Sequence, residues 1–186
     1  GNELPQGNRE EMVSAAQVMY REMSPETGEF FDFMVEHELF DLETKPNKRM
    51  GGYCTFLPKY KAPFIFSNFN GTSADADVLT HEAGHAFEAY TASRRQTLSA
   101  YIHSTSEINE IHSMSMEHFA YPWMDRFFRN ADKYRYAHLF GALNLIPYMI
   151  CVDEFQHRVF EDPTQGPTQW RAIWHELEKT YMPWRT

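Results

Sequence analysis

Apolar residues near the beginning of the chain recur at helical spacing. Over residues 8–23 they return every three or four positions, which predicts an amphipathic helix. Its apolar positions are Met12, Ala15, Ala16, Met19 and Tyr20. Ser24 followed by Pro25 is typical of a helix N-cap with proline at the first helical position. The pattern therefore predicts a second helix over residues 25–42, whose apolar face holds Phe30, Phe31, Met34 and Leu39.

The hydrophobic pattern changes after the polar segment 45–48, which contains a proline. Residues 52–57 and 63–69 are short runs rich in aromatic and β-branched side chains, bounded by proline and glycine. Such runs predict strands, here two strands of a small sheet. We expect the second strand to be buried and the first to lie at an edge.

A turn at Asn70 and Gly71 leads from the second strand into a third helix. Thr72 or Ser73 is the expected N-cap, and acidic residues in the first turns suit the positive end of the helix dipole. We expect this helix to run to about Ala92.

Three more helices are predicted downstream, over residues 106–128, 133–160 and 168–181. Proline disfavours a helix interior, so we expect a bend or break at Pro122 and an interruption at Pro147. The predicted fold class is mainly α, with about six helices and one small sheet.

Composition favours a single folded domain over residues 1–186. The chain is 42% hydrophobic and 16% aromatic, and 186 residues suffice to bury a sizeable core. No repeat, low-complexity stretch or long linker divides it. Its two cysteines, Cys54 and Cys151, lie far apart in sequence without a CxxC neighbour, so buried free thiols are expected rather than a disulfide.

Charge narrows the range of partners. With 26 acidic and 17 basic residues the net charge is -9, which argues against nucleic acid and anionic membranes as partners. No apolar run reaches membrane-spanning length, and the first five residues lack the basic start and apolar stretch of a signal peptide. We therefore expect a soluble, cytoplasmic protein.

The candidate chemistry lies in the third predicted helix, as an HExxH motif from His81 to His85. Residues four apart lie on one helical face, so the imidazoles of His81 and His85 can reach one zinc ion. Glu82 then lies beside the metal and can take a proton from a zinc-bound water. The motif predicts a zinc site that carries its own general base.

A catalytic zinc site needs a third protein ligand and one open position. Glu107, Glu110 and Glu117 lie on one face of the predicted helix 106–128. The residues alone leave the choice among these three carboxylates open.

Five segments together resemble one family: GGYCT from Gly51, PFIFSNFNGT from Pro63, HEAGHAFE from His81, EINEIHSMSMEHF from Glu107 and PYMICVDEFQHRVFEDP from Pro147. Over nearly all of its length the chain resembles zinc metallopeptidases of the oligoendopeptidase F and thimet oligopeptidase type. The resemblance implies a helical zincin-like catalytic core, with a small sheet or hairpin beside the HExxH helix, and one zinc ion as cofactor.

The resemblance also implies roles for the carboxylates. The family's third ligand is the first glutamate of a pair seven residues apart, which falls on Glu110, 25 residues beyond His85. Glu117 and Glu107 become candidates for outer carboxylates that hydrogen-bond the ligands and orient them. Asp77, one turn before His81, could act in the same way or could stabilise the helix dipole.

By resemblance, residues 51–55 form a strand that binds the substrate by pairing with an extended peptide. Gly51 and Gly52 would let the peptide backbone approach closely, and Tyr53 begins the strand. The alternative is an ordinary edge strand that is short because long exposed edges aggregate.

Relatives of this family are longer at both ends, so we expect a truncated catalytic core. The family's histidine and tyrosines that stabilise the tetrahedral intermediate would lie beyond residue 186. His138 and Tyr148 have a similar spacing, but the residues between them differ from the family motif, and a structural helix is the preferred interpretation.

The leading hypothesis is a zinc metalloendopeptidase core that hydrolyses short oligopeptides by Glu-assisted attack of a zinc-bound water. The alternative is a catalytically weak or inactive zinc- and peptide-binding fragment. A third possibility is completion of the site by a second chain, through homo-oligomerisation or a complementing fragment.

Overall fold

The computed structural model describes residues 3–185. The chain forms two compact units, Gly1–Arg135 and Tyr136–Thr186. These units are defined by compactness alone, and the expectation of one catalytic domain over residues 1–186 stays a prediction.

The first unit begins with two helices, α1 (Arg9–Met23) and α2 (Pro25–Glu36). Asn8 caps α1 in a capping box with Glu11, which satisfies two otherwise unpaired N–H groups. Ser24 ends α1 and caps α2, its side chain accepting a hydrogen bond from the Thr27 N–H. The predicted start of each helix is therefore confirmed to within one residue.

Helix α2 ends at Glu36, so the prediction that it reaches residue 42 is wrong. Glu38 adopts a left-handed conformation with φ of 52°, and Leu39 N–H donates to the Met34 carbonyl, a Schellman-type C-terminus. Phe40–Glu43 then forms strand β1. Its apolar residues continue the helical spacing of α2, which is why the pattern did not reveal a strand.

Strands β2 (Tyr53–Leu57) and β3 (Ala62–Phe69) form an antiparallel pair, and β1 pairs parallel to β3. The strand order is β1-β3-β2, so β3 is central and β2 lies at an edge. Ile65 in β3 is fully buried. This confirms a small sheet with an exposed first predicted strand and a buried second one.

Helix α3 (Ala74–Arg95) follows the sheet, and α4 (Ser106–Phe119) lies against it. Ser73 precedes α3 without a side-chain capping bond. The Asp75 carboxylate instead accepts hydrogen bonds from the Asn70 and Gly71 N–H groups and closes the turn. Pro122 lies after α4 in a 3₁₀ turn, which confirms the expected break.

The core of the first unit lies where α1, α2 and the sheet meet one face of α3. That face is made of small and aliphatic residues that are fully buried, namely Ala76, Leu79, Ala83 and Ala86. Phe30 from α2 contacts the rings of Phe87 and Tyr90 from α3. The core therefore holds α3 rigidly and leaves its other face for α4 and the candidate site.

The second unit contains helix α5 (Ala131–Glu161) from Tyr136 onward and helix α6 (Pro167–Tyr181). Cys151, Leu177 and Met182 are buried together there. The prediction that α5 is interrupted at Pro147 is wrong, because the helix continues through it. A proline removes one N–H donor, and the hydrogen bonds of the flanking turns keep a long helix intact. Within residues 3–185, no helix combines the length and apolar content that crossing a bilayer requires.

Candidate metal centre

Helix α3 presents the two histidines of the HExxH motif side by side. The ring centroids of His81 and His85 are 5.0 Å apart, and the ring planes are nearly perpendicular at 83°. Both residues are half-buried. The spacing of four residues therefore places both imidazoles on the face of α3 that points away from the core.

Helix α4 brings the Glu110 carboxylate to these rings. Its Oε2 lies 3.3 Å from Nε2 of His81, and its Oε1 lies 3.7 Å from Nε2 of His85. One ligand atom from each residue lies within 4.8 Å of the other two. In the described part of the chain, this is the one group of three such side chains that could hold a metal ion.

These separations fit a zinc ion. Ligand atoms about 2.0–2.1 Å from a tetrahedral ion lie roughly 3.4 Å from one another. Two imidazoles and one carboxylate are also the ligand types of catalytic zinc sites, which keep a fourth position for water or substrate. The geometry of His81, His85 and Glu110 meets both requirements.

Glu117 lies against the other nitrogen of one imidazole. Its Oε1 is 2.5 Å from Nδ1 of His81. A carboxylate at this distance accepts the Nδ1 proton and leaves the lone pair of Nε2 directed toward Glu110. The contact thus holds the His81 ring with Nε2 on the side of Glu110.

The other two candidate carboxylates have different surroundings. Glu107 lies exposed in the first turn of α4, where its own backbone N–H and the Thr105 side chain lower its pKa. Asp77 accepts a hydrogen bond from the Tyr134 hydroxyl, at 2.5 Å. Of the three expected outer carboxylates, Glu117 contacts a candidate ligand.

Glu82 is buried, with 9% of its surface exposed. Burial raises the pKa of its carboxyl group, and the negative charges of Glu110 and Glu117 add to this. The positive charge of His81 and the nearby Cys54 backbone act in the opposite direction and lower this pKa. A carboxylate with a raised pKa is a stronger proton acceptor, as a general base requires.

The two histidines differ in their protonation behaviour. Burial and the neighbouring charge of His81 lower the pKa of His85. Burial alone would also lower the pKa of His81, but the hydrogen bond that its Nδ1 donates to Glu117 and the negative charges of the surrounding carboxylates raise it. Because a metal binds neutral imidazole, a metal ion and a proton would compete for His81.

A cleft of about 430 Å³ opens beside the three candidate ligands. Its wall includes His85 and Glu110, together with a section of the edge strand and two residues that the sequence did not single out, Glu88 and His103. The strand section consists of Cys54, Thr55 and Phe56. All three residues lie within the predicted strand 52–57, and Cys54 and Thr55 lie within the stretch 51–55 that the resemblance implied for substrate binding.

The predicted substrate-binding residues lie at the start of the same strand. Gly51, Gly52 and Tyr53 are exposed, and Gly51 has φ of 98°. A side chain at Gly52 would lie 3.3 Å from the Ser67 hydroxyl oxygen. Because β2 pairs with β3 along one edge, its other edge is available for pairing beside the cleft.

Comparisons with known proteins identify similar sequences and structures. The sequence profile of peptidase family M3 matches residues 18–186. A Bacillus anthracis protein described as an oligoendopeptidase F has 51% identity and a TM-score of 0.94, over 98% of this chain and 34% of its own. PZ peptidase A, solved with an inhibitor, has 52% identity and a TM-score of 0.94, over 98% of this chain and 33% of its own.

A more distant Chlamydophila abortus peptidase shares the fold, with 16% identity and a TM-score of 0.64 over 97% of this chain and 31% of its own. The chain thus spans about a third of the length of the solved structures it matches. No curated protein matches it significantly.

Proposed function

The chain belongs to peptidase family M3, and from this we propose that it is the catalytic core of a zinc-dependent endopeptidase for short peptides. One observation carries the proposal. Ligand atoms of His81, His85 and Glu110 converge to within 4.8 Å, and the buried Glu82 directly follows the first of them in sequence.

His81, His85 and Glu110 are the proposed zinc ligands. Bound zinc would polarise a peptide carbonyl and make water more acidic. Glu82 accepts the proton from the attacking water and passes it to the nitrogen of the leaving peptide. Glu117 keeps the His81 ring in place through its contact with Nδ1.

The backbone of Cys54 lies close enough to Glu82 to lower the pKa of its carboxyl group. Cys54 lies in β2 and also lines the cleft. The strand beside the proposed general base is therefore the strand proposed to bind the substrate. A peptide bound there would have its scissile bond close to Glu82.

An extended peptide would pair with the free edge of β2, starting from Gly51, Gly52 and Tyr53. Its side chains would then alternate toward and away from the cleft. The cleft volume of about 430 Å³ suits a bound peptide side chain rather than a folded domain. Oligopeptides are accordingly the proposed substrates.

The test is cleavage of a quenched fluorescent peptide by the zinc-loaded protein. We expect activity that a chelator removes, and Glu82→Gln should lower kcat by about 10²- to 10⁴-fold while zinc remains bound at one equivalent. Glu36→Gln, at an exposed position at the end of α2, is the matched control and should retain full activity. Undiminished cleavage by Glu82→Gln would contradict the proposed role of Glu82.

A second candidate function is favoured by the coverage of about a third of the matched structures. Here the chain binds zinc and peptide but turns over weakly or not at all without further residues, supplied by a second chain or another fragment. Oxyanion stabilisers are worth about 10²- to 10³-fold in rate. Stoichiometric zinc binding without cleavage would favour this function, and sedimentation of an active dimer would favour completion by a second copy.

A further inference from the structure

Helices α3 and α4 approach most closely at a glycine inside the HExxH motif. A Cβ atom added to Gly84 would lie 2.6 Å from Cα of Ser113 and 2.8 Å from the carbonyl oxygen of His112. Both neighbours are backbone atoms of α4, so no side-chain rotation could relieve the overlap. The two helix backbones therefore touch at Gly84, one residue before His85.

The contact determines how far α4 lies from the imidazoles. Carbon atoms in ordinary contact are about 3.5–4.0 Å apart, so a methyl group at Gly84 would displace α4 by roughly 1 Å. Ligand distances in metal sites tolerate only about 0.2 Å. The displacement would move the Glu110 carboxylate out of range of a metal held by His81 and His85.

Ser113 is the residue on the α4 side of this contact, and it is completely buried. Its hydroxyl donates to Oε2 of Glu110 over 2.7 Å. The same carboxylate oxygen lies 3.3 Å from Nε2 of His81. Ser113 therefore contacts both the glycine of one helix and the candidate metal ligand of the other.

Glu110 needs such a partner because its side chain is 50% exposed. A half-exposed glutamate samples several rotamers, and holding one of them costs conformational entropy. Within residues 3–185, the Ser113 hydroxyl is the side-chain hydrogen-bond donor to this carboxylate. Without that bond, Glu110 would turn toward solvent for part of the time.

We propose that Gly84 and Ser113 are positioning residues for the metal centre: Gly84 sets the distance of α4, and the Ser113 hydroxyl selects the Glu110 rotamer. Neither residue touches the metal or the substrate in this scheme. The inference rests on the proposed function, since it assumes that His81, His85 and Glu110 bind zinc.

The primary test is the zinc affinity of Ser113→Ala, measured by competition with a chromophoric chelator. We expect a loss of about ten- to a hundredfold, the usual effect of removing an outer partner of a ligand. The visible absorption of the cobalt-substituted protein should also change, because the Glu110 carboxylate is held less uniformly. Ser115→Ala, a half-buried serine on the same helix, is the control and should change neither quantity.

A double-mutant cycle separates positioning from general helix stability. If Ser113 acts through Glu110, Ser113→Ala should cause no further loss of zinc affinity in a Glu110→Ala background. An equal loss in both backgrounds would show that Ser113 acts elsewhere and would overturn its proposed role.

The distance component is tested by Gly84→Ala, for which we expect a loss of zinc affinity at least as large as for Ser113→Ala. Gly141→Ala is the matched control, since Gly141 also lies in a helix and an added Cβ would meet no atom within 4 Å. Wild-type affinity in folded Gly84→Ala would overturn the role of Gly84. If that variant does not fold, the Ser113 cycle still decides the role of the hydroxyl.

The outcomes distinguish this inference from the function on which it rests. Absence of zinc binding by the wild-type chain would overturn the proposed function. Zinc binding by the wild type with equal affinity and cobalt spectrum in Ser113→Ala would overturn the inference alone.

Discussion

Two helix pairs in the first unit use the same packing device for different purposes. In the α1–α2 pair, a Cβ on Gly28 would lie 3.0 Å from Cα of Arg21, and in the α3–α4 pair a Cβ on Gly84 would lie 2.6 Å from Cα of Ser113. Each glycine permits close backbone approach. The residues around the two contacts differ. One pair is surrounded by apolar rings that stabilise the fold, and the other by ionisable side chains that form the candidate site.

Around the α1–α2 contact lie fully buried aromatic rings. Tyr20 stacks on Phe31 with ring centroids 4.7 Å apart, and Phe30 packs edge-on to Tyr20. Beside the α3–α4 contact lie the imidazoles of His81 and His85 and the carboxylate of Glu82, whose pKa values are displaced. Burying ionisable groups costs free energy that apolar packing does not, so we expect a bound ligand to add to the stability of the second pair.

The largest expected effect on stability comes from the α1–α2 pair. Phe31→Ala should lower the free energy of unfolding by about 3–5 kcal/mol, because it removes a fully buried ring and leaves a cavity. Urea denaturation measures this loss. Phe160→Ala, at an 81% exposed phenylalanine, is the control and should change stability by less than about 0.5 kcal/mol. A changed spectrum of the cobalt-substituted, folded Phe31→Ala variant would show that the two helix pairs are coupled, which would contradict their independent roles.

Zinc binding at the α3–α4 pair should raise the free energy of unfolding by an amount similar to the loss in Phe31→Ala. At a zinc concentration a thousandfold above Kd, the free energy of unfolding should rise by about 4 kcal/mol. His85→Ala should abolish this zinc-dependent gain, which thermal unfolding with and without zinc measures. The control His157→Ala, on an exposed side chain of α5, should retain the gain. A zinc-dependent rise that persists in His85→Ala would exclude His85 as a ligand.

A smaller loss of unfolding free energy, about 1 kcal/mol, is expected from removing a helix N-cap. Ser24→Ala removes the side-chain oxygen that accepts the Thr27 N–H at 3.1 Å, and should lower the free energy of unfolding by about 1 kcal/mol. Ser73→Ala, at the start of α3, removes no side-chain capping bond and should cost about 0.5 kcal/mol or less. Equal losses in chemical denaturation would show that α2 does not depend on its cap.

The smallest effect expected is a pH dependence within the α1–α2 pair. Burial raises the pKa of Asp32, but hydrogen bonds from Arg21 and Gln17 outweigh it and leave the pKa below its ordinary value. The ordinary value of about 3.9 applies to the unfolded chain. Below that pH the unfolded state binds more protons than the folded state, so stability falls as the pH drops toward the folded pKa.

Asp32→Asn should remove the part of the stability loss at low pH that comes from protonation of Asp32. Because the side chain is 40% exposed, the component is less than about 1 kcal/mol. Urea denaturation of both proteins between about pH 5 and pH 2 measures the difference. Parallel pH curves for the two proteins would show that the pair with Arg21 contributes nothing measurable.

The starts of the helices and the edge and central strands could be predicted from the sequence, because caps and alternation are local signals. Strand β1 and the end of α2 could not. Leu39, Phe40 and Leu42 continue the helical spacing, while the left-handed Glu38 ends the helix and pairing with β3 makes the next residues a strand. The interaction that overrode the helical pattern is the pairing with β3, which lies more than twenty residues away in sequence.

Within the candidate site, the residues alone could not choose among Glu107, Glu110 and Glu117. All three share a helix face, and resemblance to a family favoured Glu110. In the fold, Glu110 lies by the Nε2 atoms of both histidines and Glu117 by Nδ1 of His81. Ser113, three residues after Glu110, was missed because a buried serine in a helix has no distinctive sequence signal.

The sequence by itself determined the HExxH face, since two residues four apart share a helix face whatever surrounds the helix. It also determined the Ser24 cap of α2 and the edge strand, which depend on neighbouring residues. Only the tertiary structure decided which carboxylate meets the imidazoles, because that depends on the distance between two helices. Contact between the backbones at Gly84 and Ser113 sets that distance, and no spacing along one chain segment encodes it.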